Sequence, residues 1–388
     1  MTQHDVIVLG AGVIGGFIAW NLAQQGAAVA VADPAGPAAR PSASWASAGG
    51  LRSQGRHDAD RPVTLRASEL WATMSDRLGA ELEISFGGHL HLAETEDQVP
   101  DIEARIAADS SKNIAIERLN GRQIAEIAPI LAPGMAAGAF TPGDGQAHPG
   151  RVAEALSRAL GELGVERHFG QLASLVTEGE RVVGVDIKGG PALRAPVTVV
   201  ACGAWSAKLI EPLGLQLPVR ARGLQMVLSD IDSAGRLAPT VTAVGRNLSL
   251  KQVRSGAYML GGRWFGRPTG RGLETEPLDA HVAAQWAGAA ALLPRLSRHR
   301  IAHAWAGTEA QSIDGNPFIG RHGPPGLYLA FGFSNHGFQI SPAIGELIAG
   351  DITGDRDEPL LAPFSPARPG PGPAAVSTFQ NESILQTA

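Results

Sequence analysis

The chain has 388 residues and a formal net charge of -5, so it presents no basic field for nucleic acid. Its single cysteine, Cys202, excludes an internal disulfide, a cysteine-ligated iron–sulfur cluster and a zinc ribbon. The length exceeds one ordinary core, no apolar run reaches about 18 residues, and no charged leader precedes an apolar segment. Two domains, or one nucleotide-binding domain with a large insertion, are therefore expected in a soluble, cytoplasmic protein.

Residues 5–33 contain the first elements. Val6 to Leu9 form a continuous apolar run, as in a buried parallel strand, and it ends at Gly10, Gly12 and Gly15. From Val13 the apolar residues follow helical spacing (Ile14, Phe17, Ile18, Leu22). After Gly26 a second apolar strand, 28–32, ends in Asp33. This is a βαβ unit with G-x-G-x-x-G in the position that binds a dinucleotide. Gly10 permits the tight turn, Gly12 admits the pyrophosphate, Gly15 lets helix and strand pack, and Asp33 accepts from ribose hydroxyls, which disfavours NADP. The unit alone does not choose between NAD and FAD.

After Asp33 the small residues of 42–52 (SASWASAGGLR) suit close backbone approach to a ligand or a flexible loop. A helix is predicted over 62–78. The following strand, 86–93, carries His89 and His91 on one face, and without a cysteine or carboxylate cluster they suit packing or surface roles rather than a metal. Helices at 99–108 and 121–131 and a strand near 137–141 come next, then a turn at 142–150 that opens a helix over 151–163. The runs 172–177 and 181–187 read as a β-hairpin, and 197–201 as a third apolar strand ending in Cys-Gly-Ala-Trp-Ser. Residues 217–264 change to strand patterning, and 281–296 form an amphipathic helix. The strand 326–333 is followed by a helix expected to be capped by Ser341, with Pro342 at its first position. The Pro- and Gly-rich tail lacks periodicity and is expected to be disordered.

Four stretches in order resemble the amine- and amino-acid-oxidising flavoproteins that include D-amino acid oxidase, glycine oxidase, sarcosine oxidase and bacterial amino-acid and opine dehydrogenases. They are GAGVIG with Asp33, SAGGLR, VVACGAWS, and DGNPFIG with GFSNHGFQISP. RSGAYMLGG and GFSNHGF look closest to the branch with subunits of opine dehydrogenases and hydrogen cyanide synthase. The resemblance implies an α/β fold, a Rossmann-like FAD-binding domain with an inserted, mainly antiparallel β-sheet substrate domain carrying helices. Residues 1–84, 142–216 and 300–365 would form the first domain, 85–141 and 217–299 the second, and 366–388 the tail.

The resemblance also implies FAD in extended form. Its contacts would come from Gly10, Gly12, Val13, Ile14, Gly15 and Asp33, from Ser44, Ser47, Ala48, Gly49, Gly50 and Leu51, and from Val176, Ala201, Gly203, Ala204, Trp205, Gly307 and Asp314. Gly332, Ser334, Asn335, His336, Gly337, Phe338 and Gln339 would lie beside the ring, where backbone N–H groups at a helix start stabilise negative charge.

The implied reaction oxidises a carbon–nitrogen bond to an imine by hydride transfer to flavin N5, with oxygen or a quinone as acceptor. His336 would assist by hydrogen bonding. A substrate carboxylate calls for an arginine fork, with Arg254 the first choice and Arg52 another. After Trp-Ala-Gly (305–307) many relatives continue Leu-Arg-Pro, whereas this chain has Thr308, Glu309 and Ala310. Glu309 is then a contact for a cationic amine or an ordinary surface acid. An alternative is a flavin-bearing subunit of a hetero-oligomeric opine or amino-acid dehydrogenase, inactive alone; homo-oligomers also fit.

Overall fold

Strand Val6–Leu9 is apolar at every position because both its faces are covered. In the computed structural model, which describes residues 2–354, 358–372 and 374–379, it belongs to a six-stranded sheet. The order is 318–321, 327–331, 197–200, 6–9, 29–33, 166–169, parallel throughout except for the edge strand Phe318–Arg321. Alternate side chains serve different layers. Val6 and Val8 join a core with residues of the helices Val13–Gln24, Arg61–Ala72, Pro149–Glu162 and Gly337–Thr353. Ile7 and Leu9 instead meet Val182, Val185 and Leu193 of a four-stranded sheet on the other side. That second layer contains the predicted hairpin, Ala173–Glu178 paired with Arg181–Ile187.

A separate eight-stranded sheet runs in the order 301–312, 219–231, 257–261, 249–252, 240–243, 89–93, 137–141, 117–120. Every pair is antiparallel except 240–243 with 89–93. Leu90, Leu92, Val241, Leu250 and Leu260 pack against Ala289 and Leu292 of the helix Asp279–Leu292. The strand Ile301–Ser312, placed by the sequence in the FAD-binding part, is instead an edge strand here. It pairs along nearly its whole length with Val219–Ile231, from Val219 opposite Ser312 to Ser229 opposite Ile301. Its length explains the correction: the two long strands satisfy each other's backbone groups, and no strand of the parallel sheet could. His89 and His91 both point to Thr242 Oγ1, at 2.9 and 2.8 Å, in packing roles.

The helix Gly337–Thr353 begins four residues before the predicted cap at Ser341. Pro342 is accommodated inside it because the Phe338 carbonyl, deprived of a backbone donor, accepts from Ser341 Oγ at 2.8 Å. The tail also differs from expectation. Arg368 grips the Asp314 carboxylate at 2.8 and 3.0 Å and donates to the carbonyls of Asn316 and Pro317. Arg220 donates to the Phe379 carbonyl at 3.1 Å and lies over its ring. Two arginines thus hold residues 366–372 and 374–379 in place of the expected disorder; residues 380–388 lie outside the described residues. Among the described residues no helix is long and apolar enough to cross a membrane.

Candidate active site

The glycine turn has no room for side chains. Gly10 has φ +103°, and a Cβ there would overlap the Ala201 carbonyl; a Cβ on Gly15 would overlap the carbonyl of Gly10. The first three N–H groups of the helix, on Val13, Ile14 and Gly15, lack intrahelical acceptors. Val13 N–H instead donates to Ser44 Oγ at 3.1 Å, and that hydroxyl faces Gly12. Asp33 accepts from the N–H groups of Ala11, Ala35 and Gly36, each at 2.8 Å, and so ties the glycine turn to the strand end. One lone pair remains for a ligand hydroxyl. A bare glycine cradle on a helix start, with a carboxylate beside it, fits the diphosphate and ribose of a dinucleotide.

The 42–51 segment is built rather than loose. Ser42 Oγ caps the short helix Ala43–Ala46, and Gly50–Leu51 pairs with Gly145–Gln146. Strand 301–312 holds it through Thr308 N–H to the Pro41 carbonyl (2.8 Å) and Trp305 Nε1–H to the Ala46 carbonyl (3.2 Å). Gly307 is glycine because a Cβ would strike Ala46, which gives it a packing role between strand and loop. Gly49, at φ +69°, packs against the Ala147 carbonyl and donates to Ser47 Oγ at 3.0 Å, while Gly50 faces open space. Ala48 uses its carbonyl to accept from the buried Lys251 Nζ. Burial pushes that amine down to about 7. Ala201 ends the neighbouring parallel strand, and Gly203, Ala204 and Trp205 form the 3-10 turn after it. Burial, reinforced by Asp33, pushes the Cys202 thiol up to about 12, leaving it unreactive.

Residues 332–339 carry local strain. Gly332 has φ +87°, and two residues with side chains, Ser334 (+47°) and Asn335 (+70°), also adopt positive φ. Cross-links hold them there. Ser334 N–H donates to the Ala310 carbonyl at 3.2 Å, Ser334 Oγ accepts from Ser312 N–H at 3.0 Å, and Asn335 N–H donates to Glu309 Oε2 at 2.8 Å. His336 places Nδ1 2.9 Å from the buried Asp60 carboxylate. Burial, with the Arg56 charge second, pushes the imidazole down to about 4 despite Asp60. At neutral pH it is an imidazole whose Nδ1–H donates to Asp60, which leaves Nε2 as an acceptor. Phe338 stacks on Trp71 at 5.3 Å, and Gln339 donates to the Thr64 carbonyl at 3.1 Å. Their side chains therefore face helix Arg61–Ala72, and only the first-turn N–H groups of Gly337, Phe338 and Gln339 are available to a ligand.

The predicted charged residues fare differently. Arg254 lies in the turn after strand Ser249–Gln252, is exposed, and pairs with Glu81 at 3.4 Å, so it is not a pocket residue. Glu309 is buried, not a surface acid, because its strand turns this side chain toward the 332–339 loop. Asp314 is occupied by Arg368, and Val176 sits in the hairpin opposite Gly184 rather than in the parallel sheet. Arg52 does reach the site, accompanied by Arg56, which the sequence reading missed. Arg56 Nε–H donates to the Arg52 carbonyl at 2.8 Å, and both guanidinium charges act on His336. Among the described residues neither arginine has an ion-pair partner. Burial and then Arg52 push Arg56 down to about 9, still cationic at neutral pH. Asp144, held by Ser53 N–H and Oγ–H at 2.7 and 2.5 Å, is their charge counterweight. Arg56 was visible only as a charge four residues from Arg52 in a segment that is not helical; Lys251 had no signal beyond its place on a strand.

A parallel sheet layered between helices and a second sheet, carrying a dinucleotide cradle and set against a large antiparallel sheet, with Arg52 and Arg56 acting on His336, fits a nucleotide-dependent oxidoreductase. The chain belongs to the FAD dependent oxidoreductase family DAO, whose model matches residues 5–350, and its cofactor is FAD. It is 30% identical over 378 residues to a glycine oxidase of Pseudomonas aeruginosa, covering 94% of this chain and 99% of the relative. The solved glycine oxidase of Geobacillus kaustophilus superposes with a TM-score of 0.84 at 26% identity, covering 96% of this chain and 100% of that one. The L-proline dehydrogenase of P. horikoshii superposes at 0.86 with 25% identity, covering 94% and 97%. End-to-end likeness to glycine oxidase does not favour a subunit that is inactive alone.

Proposed function

We propose that the chain oxidises the carbon–nitrogen bond of an α-amino acid, with its carboxylate held by Arg52 and Arg56. One observation carries this reading: two neighbouring guanidinium groups, Arg56 buried and Arg52 half-buried, without ion-pair partners among the described residues act on His336 at the start of a helix. Asp144 offsets these two positive charges only in part, and a bound carboxylate would complete the balance with bidentate hydrogen bonds.

FAD, when bound, supplies the hydride acceptor. The N–H groups of Ile14 and Gly15, with the Ser44 hydroxyl that Val13 N–H holds, would meet its diphosphate, and Asp33 its ribose. The backbone of Gly49 to Leu51 and the N–H groups of Gly337 to Gln339 would hold the ring end. The chain's own residues position and desolvate: Arg52 and Arg56 fix the carboxylate end, neutral His336 offers Nε2 as an acceptor, and the 42–51 segment excludes water from the cleft. The acceptor of the electrons is oxygen or a quinone-type carrier.

Anaerobic bleaching of the bound flavin by glycine, D- and L-amino acids, N-methyl amino acids and opines tests the reading. At least one carboxylate-bearing amine should bleach it about 100-fold faster than the matching amine without a carboxylate. Equal rates for the two would defeat the proposal. Comparing air with an artificial acceptor then distinguishes oxidase from dehydrogenase.

A further inference from the structure

Glu309 is a charged side chain with unusual surroundings. It is 6% exposed, on the strand face that also carries Trp305 and Gly307 toward the 42–46 segment. One carboxylate oxygen, Oε2, accepts from Asn335 N–H at 2.8 Å. The other, Oε1, is buried with no hydrogen-bond partner among the described residues. An orphaned buried carboxylate oxygen costs about 1–3 kcal/mol or more, so a partner supplied by a ligand is the physical expectation. In its ionised form the carboxylate can only accept, so a ligand that meets that form is a donor.

The position is also informative. Asn335 rests on Glu309, and the next residue, His336, rests on Asp60 and lies in the field of Arg52 and Arg56. An acceptor for a cation and a receptor for an anion therefore meet two adjacent residues, Asn335 and His336. That arrangement complements a zwitterion. The charged group that acts on Glu309 is Arg222 on the paired strand, and His336, the residue after Asn335, pairs with Asp60.

We propose that Glu309 is the base that takes the proton from the substrate's ammonium group, so that the nitrogen enters oxidation as a free amine. The step balances without any redox change: an ammonium N–H bond breaks, a carboxyl O–H bond forms, and an ion pair becomes a neutral pair. A dry site favours that neutralisation. Burial also pushes the Glu309 carboxyl up to about 8, against the Asn335 bond and Arg222, so its basicity approaches that of an amine. The inference rests on the amino-acid reading above.

The test compares wild type with Glu309→Gln as FAD-loaded proteins. It measures anaerobic flavin reduction by the best amino acid from pH 6 to 10, propionate affinity from the flavin spectrum, and flavin content. The variant should reduce about 100-fold more slowly at pH 7 and regain rate about tenfold per pH unit as free amine accumulates in solution. Propionate, which has a carboxylate and no amine, should bind both proteins within about twofold, and flavin content should match. Wild-type rates in the variant across the pH range overturn the proposal, as does a parallel loss of propionate binding. Lost flavin in the variant also overturns it, because the carboxyl then serves the cofactor. If no amino acid reduces the wild-type flavin, the amino-acid reading itself has failed, which is a different result.

Discussion

On the function proposed above, the glycine turn at 10–15 and the charged residues around His336 would bind opposite ends of one cofactor, yet they are made in different ways. The turn is local: strand, glycines, helix and Asp33 lie within 30 residues, and Gly10 and Gly15 are needed because another backbone carbonyl occupies the space of the Cβ, while Gly12 faces the Ser44 hydroxyl. The charged group is assembled from Arg52, Arg56, Asp60, Glu309 and His336, which come together only when strand 301–312 and helix 337–353 dock on the 42–51 segment. A local motif tolerates little change in its own residues. A distant assembly tolerates changes unless they touch an unpaired charge.

The largest effect is expected from Gly15→Val, which forces a branched side chain into the Gly10 carbonyl. It should cost about 3 kcal/mol or more and yield colourless protein, read from flavin absorbance per chain and from Tm. A yellow variant would show that the turn is less constrained than its contacts indicate. Next, Arg52→Met should leave flavin content intact and lower kcat/KM by about 100-fold, roughly 3 kcal/mol, mainly through KM. An unchanged KM would remove Arg52 from the substrate.

The third prediction uses pH on the flavin-free protein, where cofactor linkage is absent. Glu309 is raised in the fold from 4.5 to about 8, so its contribution is complete below pH 4.5 and is lost as pH rises through 8. His336 is lowered from 6.5 to about 4, so its contribution is complete above pH 6.5 and is lost as pH falls through 4. The two slopes oppose each other between pH 4.5 and 6.5, and stability should decline on either side. Urea unfolding should show the alkaline decline, about 2 kcal/mol between pH 6.5 and 8, disappear in Glu309→Gln. A decline that persists in the variant would assign it elsewhere. The smallest effect belongs to Arg254→Ala: its ion pair with Glu81 is exposed, so kcat/KM should stay within about twofold. A larger drop would return Arg254 to the site.

The dinucleotide half was legible because its signals are short-range. Periodicity and glycine spacing report steric needs that arise within one βαβ unit. The helix start at Gly337 was misread for the same reason in reverse. Pro342 after Ser341 is a good local start signal, but Ser341 Oγ compensates the proline inside a helix that tertiary contacts begin earlier. Arg254 failed because strand patterning does not reveal where a turn exposes a side chain. Arg52 and Arg56 were visible as charges, though nothing local shows that they lack partners.

By itself the sequence determined the βαβ cradle, its glycines and Asp33, and through the four ordered motifs the FAD-dependent family. These are properties of backbone space and of residues near each other in the chain. The tertiary structure alone decided that strand 301–312 joins the antiparallel sheet, that Glu309 is buried with one oxygen unpaired, and that Arg52 and Arg56 flank His336. Those facts depend on desolvation and on contacts across hundreds of residues, and both arise only when the sheets pack together.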